Sequence, residues 1–163
     1  WWSHWQALLA EGAVHAGQDE AALEALEQAL MAVKERQERF YEAEVYRLKG
    51  EVLVRCTVAG EVAGETCFHE ALGAARRDGA RSLELRTALS LSRLWRQQGK
   101  DTAAYELLRD VYSQFTEGWE TADLQEAKQC LEELERERLS PISKTAPLLG
   151  RSGRQRAHRG RTG

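Results

Sequence analysis

The stretch over residues 81–134 constrains the fold most, because its first helix is apolar on more than one side. Leu85, Ala88, Leu89 and Trp95 cover one side, while Leu83, Leu91 and Leu94 spread onto another. A helix patterned this way is sandwiched between neighbours rather than laid on a surface. Ser82 is read as its N-cap, with Glu84 near the positive end of the helix dipole. Gln97-Gln98-Gly99 closes it, Gly99 suiting the left-handed position after a helix. Asp101 is expected to cap a second helix burying Ala104, Leu107, Leu108, Val111, Tyr112 and Phe115. After the turn Glu117-Gly118-Trp119-Glu120, Thr121 is expected to cap a third, with Leu124, Ala127, Leu131 and Leu134 at helical spacing.

The same logic runs backwards through the chain. Trp1, Trp2 and Trp5 open it, and Ala7, Leu8, Ala10 and Val14 predict a helix ending at Ala16-Gly17. Asp19 then caps a helix carrying Ala22, Leu23, Leu26, Ala29, Leu30 and Val33. A further helix begins near Phe40 with Ala43, Val45, Tyr46, Leu48, Leu53 and Val54. Residues 57–64, with Gly60 and Gly64, read as a turn. The next helix carries Cys67, Phe68, Ala71, Leu72 and Ala75 and stops at Arg77-Asp78-Gly79. Gly17, Gly60 and Gly99 each open a turn between helices; Phe68 and Leu107 follow eight residues after theirs, and Leu26 follows with one extra residue. An interval of about forty residues lies between a tetratricopeptide repeat and the longer helical repeats.

The expected fold is therefore all-α, a tetratricopeptide-like solenoid of three helical hairpins plus a C-terminal capping helix over residues 1–138. Small residues such as Ala29 and Ala71 are placed where helix axes cross closely. One hairpin buries too few large side chains to offset its own ordering entropy, so stacking is obligatory. Residues 139–163 read as a disordered basic tail. Pro141 and Pro147 interrupt it, and after Ser140 there are six basic and no acidic residues. Its arginines suit nucleic acid or an acidic partner, or simply solvent. The remaining body is acidic, which argues against nucleic acid on the helical surface.

Other classes find little support. No apolar run reaches membrane-spanning length and no secretory leader pattern is present, so a cytoplasmic protein is expected. Starting at Trp1, the chain reads as a piece of something longer. Cys56, Cys67 and Cys130 are an odd, scattered set, read as reduced thiols in the core. Cys67 and His69 lie two apart on a helix and point in different directions, which is poor metal-ligand geometry. Phosphate loops, GxGxxG, HExxH, CxxC and GxSxG are absent, so no catalytic residue, cofactor or metal is assigned. Glu132, Glu133, Glu135 and Glu137 read as a solvated helix face with several opposite-charge neighbours. What rises above background is a set on the first helix of each hairpin: Tyr46, Arg47, Lys49, Arg86, Arg93 and Trp95. On the concave side of a hairpin stack such residues grip a peptide or another domain. The competing reading makes Tyr46 and Trp95 inter-repeat core and the basic residues ordinary surface.

Three segments carry a family resemblance. They are Ser82-Leu83-Glu84-Leu85-Arg86, Leu94-Trp95-Arg96-Gln97-Gln98-Gly99-Lys100, and the run from Phe115 through Gly118-Trp119 to Leu124. With Phe40 to Glu51 and Cys67 to Leu72, they resemble the C-terminal tetratricopeptide-like region of large bacterial regulators. Those combine a class III adenylate/guanylate cyclase or DNA-binding output domain with an AAA-like signal-transduction ATPase. The likeness covers roughly residues 6–134. The tryptophan-rich start and the arginine-rich tail depart from that pattern. The resemblance implies a non-catalytic module that binds partners or restrains its own ATPase or cyclase domain, and it transfers no catalytic residue. Two other readings stand beside it: a free-standing helical-repeat scaffold or adaptor, and a small helical hydrolase or cyclase in its own right, for which no motif speaks.

Overall fold

A computed structural model describes residues 18–36, 41–56 and 60–139. These form six helices and, among the described residues, no strand. They are α1 (Asp19–Arg36), α2 (Glu42–Cys56), α3 (Gly60–Arg77), α4 (Arg81–Gln97), α5 (Asp101–Tyr112) and α6 (Ala122–Leu139). The helix expected over Ala7 to Val14 and the tail after Ser140 lie outside the described residues.

Each helix packs on the next in sequence, and α4 additionally touches both α2 and α6. This places α2, α4 and α6 side by side in one layer, with α1, α3 and α5 behind them. Helices α1, α3 and α5 begin at Asp19, Gly60 and Asp101, an even interval of 41 residues. Their buried positions repeat as well: Ala22, Leu26 and Ala29 in α1, Gly64, Phe68 and Ala71 in α3, Ala104, Leu108 and Val111 in α5. In α1 and α3 a large apolar residue thus sits one turn from a small one on each side, while in α5 Val111 takes one of the two flanking positions. The small residues let the paired axes approach while the large one fills the space between layers. The helix–helix packing is consistent with a helical repeat.

Helix α4 is the middle of the assembly, as its two-sided apolar pattern requires. Leu85, Ala88, Leu89, Leu91 and Leu94 are all buried, and they join Phe68, Leu108, Leu124 and Leu134 in one cluster. A second cluster joins α1 and α2 through Leu26, Val45, Leu48 and Val52. Polar residues buried on α4 are hydrogen-bonded within the helix or to a neighbouring one. The Thr87 hydroxyl donates to the Leu83 carbonyl at 2.8 Å, and that of Ser92 donates to the Ala104 carbonyl at 3.1 Å.

Glycine acts in two ways here. Gly79 and Gly99 have φ of 67° and 74° and end α3 and α4. The amide after each reaches back to close the helix, from Ala80 to the Ala75 carbonyl at 2.9 Å and from Lys100 to the Trp95 carbonyl at 2.8 Å. Gly50 and Gly64 instead lie inside helices. A Cβ on Gly64 would stand 2.5 Å from a Val54 methyl and 2.9 Å from the Gly50 carbonyl oxygen, so α2 and α3 cross at this pair.

Several local expectations need correction. Gly64 belongs to α3, which starts at Gly60, because a buried small residue at a helix crossing imitates a turn signal. Ser82 and Asp101 lie within the first turns of α4 and α5. The N-caps are Ala80 and Lys100, and neither makes a side-chain capping bond. Phe115 lies beyond the end of α5 and packs on the core from the following turn. Of the cysteines only Cys130 joins the core. Cys67 is half-buried and Cys56 exposed, so the core reading fails for Cys56.

Candidate functional site

The face formed by α2, α4 and α6 is laced by ion pairs at regular helical steps. On α2, the Arg47 guanidinium donates to Glu44 at 2.9 and 2.6 Å and to Glu51 at 2.6 Å. Their spacing of three and four residues puts all three on one side of the helix. Across the seam, Arg86 of α4 donates to Glu44 at 3.2 Å, and the Ser90 hydroxyl donates to Glu51 at 2.7 Å. On its other flank α4 meets α6. Arg86 lies 3.8 Å from Asp123, Arg93 pairs with Glu126, and Arg96 pairs with Glu133 at 2.6 Å and Glu137 at 2.7 Å. An arginine row on α4 thus lies between acidic rows on α2 and α6.

Burial and charge oppose one another in this seam. Burial pushes the Glu44 carboxyl up, but its hydrogen bonds and attraction to Arg47, aided by Arg86, outweigh this and hold it below the usual carboxylate range. For Arg47, burial lowers the guanidinium, while Glu44 and Glu51 more than reverse the effect and keep it charged. On Arg96, the hydrogen bonds it donates to Glu137 and Glu133 dominate and raise it. Glu133 and Glu137, expected on a solvated face with opposite-charge neighbours, keep part of their exposure and pair across the seam with Arg96.

The six residues singled out from sequence divide into two groups. Arg47, Arg86 and Arg93 share the seam, and Glu44 bridges the first two. Tyr46, Lys49 and Trp95 turn toward the other layer. Lys49 pairs with Glu27 of α1 at 3.1 Å. The Trp95 indole N–H donates to Glu65 of α3 at 2.6 Å, and its ring lies 6.1 Å from that of His69. The Tyr46 phenol is raised by partial burial and by the nearby Glu42 and Glu70 carboxylates. Sequence reasoning passed over Glu44, Glu51, Ser90 and Arg96. The carboxylates three and four residues either side of Arg47 were the available signal.

Toward the C-terminal ends of α2 and α4 the seam opens into a cavity of about 320 Å³. Val54, Phe68 and Leu94 form its apolar part, with Glu51, Ser90, Arg55, Arg93 and Gln97 around them. Among the described residues no group of His, Cys, Asp or Glu is arranged to hold a metal ion. Nor, among these residues, is any helix long and apolar enough to cross a membrane.

No family model, curated protein or solved structure matches the chain.

Proposed function

We propose that the chain is a tetratricopeptide-like solenoid acting as the non-catalytic interaction and regulatory module of a bacterial signalling ATPase or adenylate cyclase. The layer of α2, α4 and α6 is its concave, partner-facing side. The observation that carries the reading is that α1, α3 and α5 start at an even 41-residue interval and each buries one large apolar residue, Leu26, Phe68 or Leu108, between smaller ones. It supports a solenoid because each unit presents the same apolar face to the next, and a stack of such units builds one extended binding surface. The attachment to an ATPase or cyclase rests on the resemblance in Ser82 to Arg86, Leu94 to Lys100 and Phe115 to Leu124. The partner is a peptide, a second protein or the module's own ATPase or cyclase domain.

Reading the gene upstream of the Trp1 codon tests the assignment. An open frame encoding a phosphate loop, with or without a cyclase domain, is the expected result. A stop codon followed by a start codon close to Trp1 would overturn the attachment and leave a free-standing adaptor.

A further inference from the structure

We propose that the cavity between the C-terminal halves of α2 and α4 is a docking pocket for a bulky apolar side chain flanked by carboxylates on a peptide partner. The inference rests on reading the α2–α4–α6 layer as partner-facing, and it names the partner's chemistry.

Three observations converge. The cavity, at about 320 Å³, has room for a leucine or phenylalanine side chain. Its apolar lining comes from Val54 of α2, Phe68 of α3 and Leu94 of α4. Recognition pockets commonly pair such a lining with a few placed polar groups.

The rim decides the sign of the partner. Two arginines stand there, Arg55 from α2 and Arg93 from α4. Arg93 and Glu126 form an exposed pair, each half open to solvent, while Arg55 pairs with the partly exposed Asp19 among its contacts. Exposed pairs of this kind are worth little, so an incoming carboxylate exchanges with them at small cost. Glu51, the carboxylate of the lining, does not repel it. It already accepts from Arg47 at 2.6 Å and from Ser90 at 2.7 Å. The seam network thus neutralises the acid in the pocket and leaves the exchangeable positive charge at its mouth. A lysine-bearing peptide meets the opposite situation, with two guanidinium groups to displace.

A blocked pentapeptide with a central leucine and aspartates on both sides is the probe, titrated into the isotope-labelled full chain and followed by amide chemical shifts. Saturable shifts centred on Glu51, Val54, Arg55, Ser90, Arg93 and Gln97 are expected. Replacing the probe's aspartates by lysines, or its leucine by alanine, should each weaken binding at least tenfold. The protein double variant R55Q/R93Q should lose at least tenfold with its circular dichroism unchanged. The variant Q97W, which covers the apolar lining from an exposed position, should weaken binding without touching a charge. Equal binding of the lysine probe, or undiminished binding to Q97W, would overturn the pocket. Shifts confined to Arg86, Arg96 and α6 would also overturn it while leaving the partner-facing layer standing. If, in addition, no peptide from an unbiased library shifts any residue of α2, α4 or α6, the partner-facing reading itself fails.

Discussion

Replacing Arg47 by methionine removes the charge at the centre of the α2–α4 seam while keeping an unbranched apolar stem of similar reach. Three hydrogen bonds of 2.9, 2.6 and 2.6 Å to Glu44 and Glu51 disappear together. Truncating one partner of a fully buried pair costs about 3–5 kcal/mol, because the other charge is left without compensation. Here the loss is smaller for two structural reasons. The side chains of Arg47, Glu44 and Glu51 are 8%, 13% and 32% exposed, so Glu51 recovers water. Glu44 also retains Arg86 at 3.2 Å. A destabilisation of about 2–3 kcal/mol is expected, at the level of one charge-assisted bond lost in partial burial. Urea unfolding at neutral pH should show a lower midpoint with an unchanged slope. In a cycle with E44Q, the double variant should lose about 1 kcal/mol less than the sum of the singles, since both remove the same contact. A change under about 0.5 kcal/mol for R47M, or strict additivity, would refute the assignment of Arg47 to a structural seam.

Further outcomes follow from the same contacts. The folded Glu44 carboxyl titrates below its ordinary value, so the unfolded chain binds more protons as the medium turns acid. The stability it contributes is full above about pH 4.5 and is lost as pH falls through the folded value; R47M should flatten that acid limb in unfolding curves. Gly64→Ala gains helix propensity but drives its methyl against Val54 and the Gly50 carbonyl. It should destabilise by about 1–3 kcal/mol, whereas Gly73→Ala, with open space around its Cβ, should stabilise by about 0.5–1 kcal/mol in the same assay. Leu108→Ala removes a fully buried side chain and should cost about 2–5 kcal/mol by urea unfolding.

How much of this was legible depends on whether a residue's role is local. The two-sided apolar pattern of α4 announced a central helix, and Gly99 announced the end of that helix, because both signals lie within a few turns of chain. Gly64 misled because one glycine serves two physical needs, a turn or a close axis crossing, and only the packing of α2 against α3 distinguishes them. Ser82 and Asp101 are good capping residues two positions and one position too late. The chain enters both helices straight out of glycine-closed turns, through Ala80 and Lys100, before those side chains come into play.

The candidate site was half visible. Arg86 and Arg93 stood out as basic residues on a helix face, but their partners Glu44 and Glu126 lie 42 and 33 residues away in sequence. Nothing in local spacing pairs them. The carboxylates of α6 looked like a solvated face because a seam of ion pairs and a solvated face share the same composition. Trp95 stood between two readings, a partner-facing aromatic or one packed between repeats, and Glu65, which accepts its indole N–H, carried no sequence signal. The cavity beside Arg93 was invisible for the same reason, since its lining comes from three helices.

The central structural claim is that α4 is the middle of one cooperative stack which α6 completes. Native-state hydrogen exchange tests it most directly. Amides of Leu85 to Leu94 should exchange only through global unfolding, and those of Leu124 to Leu134 should share that same free energy, since Leu124, Ala127 and Leu134 of α6 are buried in one cluster with α4. Exchange of the α6 amides by a separate opening several kcal/mol below the global value would contradict the account and make α6 an appended helix rather than part of the stack.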